Sequence, residues 1–335
     1  MIAMNTKKPG GPGMGDFHVL ACILPVLCIA AFLRFHNIDA SSLWLDEVLQ
    51  ARVTQGPLGD VWSKSPANKP PLDYYLQAVI MPGGSDEAGI RLHALLAGII
   101  TVAAIGWWGS VVAGRGSGLV AMILLSGLPL AIRFSQEGRP YSMMMLAECL
   151  FLAQLSRLII PGRITRPSSW IMLGSSLILC IWTQYLLLPI CFMALLLGGI
   201  KVCFDAKTRS LLWNWIVDGK GWRVLILVTG IVVVSLLPLV QRMGLAAREI
   251  PFAPFDAAGW SRVFLYIDLF VQGYEYDQYT SGGWKAFLVL LLSGMFGAMA
   301  YADLRWPWVY TISLFALNLG SIFLFFRAID HWIVV

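Results

Sequence analysis

Apolar runs recur along the chain near residues 17–36, 90–112, 117–132, 140–160, 169–182, 184–203, 222–241, 284–301 and 306–326, and most are long enough to cross a bilayer as a helix. Hydrocarbon offers no partner for an unpaired backbone N–H or C=O, so a spanning segment must be a helix or part of a closed barrel. A barrel needs short alternating segments, which are absent here. Because 58% of the residues are hydrophobic and only 13% charged, a soluble domain is excluded. The expected fold is all-α and integral to the membrane: a polytopic bundle of about nine spans in a single domain over residues 17–335, behind a disordered cytoplasmic tail, 1–16.

Lys7 and Lys8 precede the first run, which exceeds a signal-peptide core in length, so it reads as an uncleaved anchor with its N-terminus inside. Two long polar loops, 37–89 and 242–283, then lie outside. The basic residues divide evenly between the two sides, so orientation rests on their density in the short inner segments. Of nineteen acidic residues, only Asp16, Asp205, Asp218 and Asp303 fall inside. The formal charge of +5 suits anionic lipid headgroups and calls for no nucleic-acid partner. The six cysteines sit in or beside apolar runs without a Cys-x-x-Cys pair, as small core residues do. The four histidines lack metal-ligand spacing, so the sequence requires no cofactor and indicates no divalent cation.

The polar loop 37–89 carries the chemistry-bearing residues. Ser41 or Ser42 is placed to cap a helix whose Leu45, Val48, Leu49 and Val53 form one stripe, a helix lying flat on the membrane. Asp46 and Glu47 open it, where the helix dipole favours negative charge in any protein, and where a carboxylate can also serve as general base with its neighbour orienting it. Lys69 precedes Pro70-Pro71, which puts a cation at the start of a helix from Leu72 onward, a phosphate-binding arrangement. The plain alternative is a lysine snorkelling to lipid headgroups. Arg139-Pro140 repeats the device on the same face, with Glu137 aligning a sugar hydroxyl, aligning Arg139, or simply pairing with it. Arg91 is expected to hold Asp46 or Glu47 in place. In the second loop Tyr274 and Glu275 lie in a run of aromatic rings and carboxylates suited to a sugar, or to an interfacial belt.

Taken in order, Leu45-Asp46-Glu47, Lys69-Pro70-Pro71-Leu72 followed by Tyr74-Tyr75, Arg91-Leu92, and Ser135 through Tyr141 with its Glu137, Arg139 and Tyr141 resemble the motifs of the bacterial branch of the protein O-mannosyltransferase and aminoarabinose transferase superfamily. The resemblance covers residues 15 to about 160 and is a hydropathy match beyond. It implies a C-type glycosyltransferase fold and a hexosyl- or pentosyltransferase of the cell envelope. Such an enzyme moves a sugar from a polyprenyl-phosphate donor, at the outer face of the inner membrane, to a hydroxyl of a lipid, glycan or protein acceptor, with inversion. Asp46 would be the base, and Lys69 and Arg139 would offset charge on the departing phosphate. The chain departs from the family in ending at Val335, where members typically continue with further spans and often an external domain. If that part supplies the acceptor contacts, the donor site is expected to persist while transfer fails. The rival reading is a membrane protein that binds or carries lipid-linked sugar without catalysis. A carrier is expected to place polar groups near mid-membrane, whereas here the charges cluster at one face.

Overall fold

The computed structural model describes residues 14–246 except 68, 81–85, 160–162, 186, 218 and 220, and among these every regular element is helical. The helices are α1 (Met14–Phe35), α2 (Leu45–Thr54), α3 (Val61–Lys64), α4 (Leu72–Ile80), α5 (Glu87–Ala113) and α6 (Arg115–Gly127), followed by α7 (Pro129–Ser135), α8 (Tyr141–Leu158), α9 (Pro167–Thr183), α10 (Leu187–Phe204), α11 (Ala206–Val217) and α12 (Gly221–Ala246).

Helix α5 begins where Asp86 Oδ1 accepts from the Gly89 amide at 2.9 Å. It ends at Gly114, whose φ of 92° only glycine adopts without strain, so the chain reverses at once into α6. The two helices then run closely side by side, since a Cβ on Gly118 would collide with Ser110 and with the Gly106 carbonyl. Helix α8 is the most enclosed, with Phe151, Leu152 and Leu155 packed against Leu173 and Cys180 of α9 and Ala194 of α10. A second layer joins α1 to α5 and α6 through Ala30, Val102 and Met122.

Helices α6 and α7 meet at a bend of 67° before Pro129, which lacks an N–H for the preceding turn. The carbonyls freed there are taken up by a charge from α1. Arg34, 1% exposed, donates to Leu125 O at 3.3 Å, Ser126 O at 3.2 Å and Ser135 Oγ at 3.2 Å. In return Gln136 donates to Leu33 O and Arg34 O in the last turn of α1 and, at 2.8 Å, to His36 O just past its end. These contacts bring the end of α1 and the α7–α8 joint to one end of the bundle.

The apolar helices mark a membrane protein, but fewer of them qualify as spans than the sequence leads one to expect. Glu87–Ala113 and Gly221–Arg242 are long and apolar enough to cross a bilayer, and the bent pair Arg115–Gly127 with Pro129–Ser135 makes a third if counted as one. The apolar stretches Ala21–Phe35, Pro167–Thr183 and Ile190–Phe204 are shorter, and α8 is diluted by Glu148, Gln154 and Arg157. The runs at 284–301 and 306–326 lie outside the described residues, as does the loop with Tyr274 and Glu275.

Helix α2 also differs from its expected cap. It starts after Trp44 rather than after Ser41 or Ser42, and the Trp44 amide donates to Glu47 Oε2 at 3.0 Å. Its polar face, Glu47, Gln50 and Thr54, is the buried one, while Leu45 and Leu49 are exposed. Polar groups turned toward protein and leucines turned outward suit a helix at a membrane surface.

A candidate phosphate and carboxylate site at one end of the bundle

The site is built on α5. Arg91, in the first turns of that helix and 1% exposed, donates from Nε to Glu47 Oε1 and from Nη2 to Glu47 Oε2, both at 3.0 Å. Its Nη1 also donates to Ile38 O at 2.6 Å and Ser41 O at 3.0 Å, so one side chain holds both α2 and the strand of loop before it. Glu47 Oε1 further accepts from the Gly138 amide in the α7–α8 joint at 2.6 Å. Burial alone would raise the Glu47 carboxyl, but the Arg91 hydrogen bond, the Gly138 and Trp44 amides and the Arg91 charge outweigh it and hold the group below its ordinary value. Glu47 is thus a buried anchor, with nothing of it turned to the exposed face.

Anchoring Glu47 to Gly138 sets the neighbouring residues opposite each other. Asp46 Oδ2 lies 2.9 Å from Arg139 Nη2, with the aspartate side chain 58% exposed and the arginine 12%. The Arg139 guanidinium also lies over the Tyr141 ring, 5.8 Å from its centre. Lys69 lies within electrostatic reach of Arg139, Asp46 and Asp73. Burial, then the Arg139 charge, lower the pKa of its ammonium, and the two aspartates work in the opposite sense. Tyr74 is buried in the same neighbourhood, and burial pushes its phenol up to about 12, so it stays a hydrogen-bond donor. Tyr75 packs in a small apolar cluster with Val61, Ala78 and Val53.

Of the roles read for Glu137, the side-chain contact with Arg139 gives way to a local one. Glu137 pairs with Arg133, Nε to Oε1 at 2.9 Å, and touches Arg139 only through its backbone carbonyl. Residues 133 and 137 are one turn apart, a pairing the local chain makes without help from Arg139.

Beneath the exposed face lies a second polar layer. Gln50 donates to Asp73 Oδ2 at 2.5 Å, Asp73 Oδ1 lies 3.3 Å from His93 Nε2, and Gln77 donates to Ile90 O at 2.9 Å. It ties α2 and α4 to α5, which already carries Arg91. From the far side Arg242, at the end of α12, donates to Trp62 O at 2.5 Å, Ser65 O at 2.8 Å and Pro66 O at 3.0 Å. The Pro66 carbonyl also accepts from the Lys69 amide at 3.1 Å, so Arg242 is one hydrogen bond removed from the lysine that carries the cation. Arg242 escapes motif reading because its partners are carbonyls distant in sequence, and Gln50 and Asp73 because they pair with each other and with His93 across twenty or more residues. For Arg242 the signal available was a charge at the very edge of an apolar run.

The arrangement offers two cations to an anion, and a partly exposed carboxylate beside them. Among the described residues no three His, Cys, Asp or Glu side chains gather to hold a metal. No family model matches the chain, and neither a curated protein nor a solved structure matches it.

Proposed function

We propose that the chain is an inverting membrane glycosyltransferase of the C-type fold, with about nine spans, that transfers a sugar from a polyprenyl-phosphate donor to an acceptor hydroxyl at the outer membrane face. The observation that carries this reading is the Asp46–Arg139 pair at 2.9 Å beside Lys69, at one end of a helical membrane bundle. Lys69 and Arg139 bind the donor phosphate. A phosphate draws Arg139 toward itself and away from Asp46, which leaves the carboxylate able to accept a proton. The acceptor oxygen then attacks the anomeric carbon as its proton passes to Asp46. The bond from that carbon to the phosphate oxygen breaks, and the polyprenyl phosphate leaves with the electron pair. Its growing charge falls on the two cations, the interaction that strengthens most toward the transition state. The exposed leucines of α2 give the isoprenoid chain an apolar approach.

Binding tests the phosphate half of this reading. The purified chain is expected to bind undecaprenyl phosphate saturably, and Lys69→Ala to weaken it by about tenfold or more. Equal affinity of the two proteins would remove Lys69 from the site.

A further inference from the structure

Linked to the Lys69 backbone through the Pro66 carbonyl and Arg242 lies a group of aromatic rings, two of which carry buried polar atoms without a hydrogen-bond partner among the described residues. Trp62 on α3 and Trp182 in the last turn of α9 have ring centres 6.2 Å apart at 43°, and the Arg242 guanidinium lies 4.7 Å from the centre of the Trp62 ring. Tyr185, just past α9, lies close to the same guanidinium without a well-aligned hydrogen bond. The three rings are half-buried, whereas Arg242 is only 7% exposed.

Among the described residues, the buried Nε of Arg242 and the buried indole N–H of Trp182 have no hydrogen-bond partner. Leaving a buried donor unpaired is costly, and a guanidinium donor costs more than a neutral one. Two unpaired N–H groups among aromatic rings ask for a ligand that presents oxygen acceptors on a flat, C–H-rich body. A sugar ring has that form: its hydroxyls accept, and its apolar face packs on indole and phenol rings. A phosphate is a poorer fit, because the two terminal nitrogens of Arg242 are already spent on Trp62 O, Ser65 and Pro66 O.

We propose that Trp62, Trp182, Tyr185 and Arg242 form a sugar subsite beside the phosphate-binding cations, with Arg242 Nε and Trp182 Nε1 donating to sugar oxygens. The Pro66 carbonyl, shared by Arg242 and the Lys69 amide, links the subsite to the phosphate position. Assigning the sugar to a transferred group or to an acceptor rests on the glycosyltransferase reading. The subsite itself rests on the rings and their unpaired donors.

The test uses the full chain in detergent, with undecaprenyl phosphate, a panel of undecaprenyl-phosphate-linked hexoses and pentoses, and the matching methyl glycosides as probes. Tyr185→Phe keeps the ring and removes only the hydroxyl, Trp182→Phe removes the N–H and exchanges the indole for a smaller aromatic ring, and neither residue makes the carbonyl contacts of Arg242. The expected result is that Trp182→Phe weakens the best-bound sugar-bearing probe by about tenfold while changing undecaprenyl phosphate by less than about twofold. Loss on the lipid-linked sugars places the transferred sugar in the subsite. Loss on the methyl glycosides alone places the acceptor's sugar there. Equal binding of every sugar-bearing probe to wild type and both variants, or no sugar-dependent binding at all, overturns the proposal. Failure of undecaprenyl phosphate itself to bind overturns the phosphate reading instead, and the methyl glycosides still decide the subsite.

Discussion

Arg91 and Glu47 form a buried two-point pair, with both N···O distances at 3.0 Å, and this pair sets where Asp46 stands. Through the Gly138 amide, Glu47 fixes the α7–α8 joint against α2, and the next residue on each side, Asp46 and Arg139, then meets at the exposed edge. The fold and the site share one anchor.

Breaking that anchor from one side strands a buried charge. Glu47→Gln is expected to cost about 3–5 kcal/mol of stability, and Arg91→Met a similar amount. The double variant is expected to lose clearly less than the sum, the sign of a coupled pair. Thermal unfolding of the three variants in detergent reads this, and additive losses would contradict it. The Glu47 carboxyl titrates below its ordinary 4.5 in the folded chain. Its stabilisation is therefore complete above the unfolded value and disappears as pH falls through the lower folded one.

Arg34 is expected to matter for stability alone. Arg34→Met removes the donor to the Leu125 and Ser126 carbonyls at the α6–α7 bend and to Ser135 at the end of α7, and an unpaired polar group in hydrocarbon costs about 1–3 kcal/mol. The expected outcome is a lower melting temperature with undecaprenyl phosphate affinity unchanged in the folded fraction. A selective loss of affinity without loss of stability would place Arg34 in the site.

Much of the fold was legible because apolar run length and helix length are the same physical quantity. Helices α1, α5, α8, α9, α10 and α12 each coincide with a run read from the sequence. The face of α2 was legible in part: the stripe of Leu45 and Leu49, read as lying on the membrane, is exposed, but periodicity does not show that Glu47, Gln50 and Thr54 are buried against protein. In the site, Lys69 and Arg139 stand out locally as cations before proline, and Asp46 and Glu47 as adjacent acids. The sequence left open which acid Arg91 holds, and three-dimensional packing resolves this in favour of Glu47. Arg34 and Arg242 act on carbonyls about a hundred and about two hundred residues away, at separations of 92 and 180, which no spacing rule reaches.

Phosphate affinity should carry the titration of Lys69. A lysine loses its charge as pH rises through its pKa, and burial together with the Arg139 charge moves that loss below the ordinary 10.5. Undecaprenyl phosphate binding is therefore expected to weaken with rising pH before an ordinary lysine would titrate. Lys69→Arg, which stays protonated throughout, should flatten the slope. Across the same window folding stability should rise with pH, because the unfolded chain holds the lysine proton more tightly. A pH-independent affinity in the wild type, or an unchanged slope in Lys69→Arg, would contradict this.

The central claim is that Asp46 takes the acceptor's proton while Lys69 and Arg139 hold the phosphate. Transfer of radiolabelled sugar from a panel of polyprenyl-phosphate sugars to envelope extracts, by the wild-type chain and by Asp46→Asn, tests it most directly. The account predicts label transferred by the wild type and lost by about a hundredfold or more in Asp46→Asn, with undecaprenyl phosphate affinity nearly intact. Equal transfer by both proteins would contradict the role of Asp46. Saturable binding of the lipid-linked sugar with no transfer by the wild type would instead identify a protein that binds such sugars without catalysis.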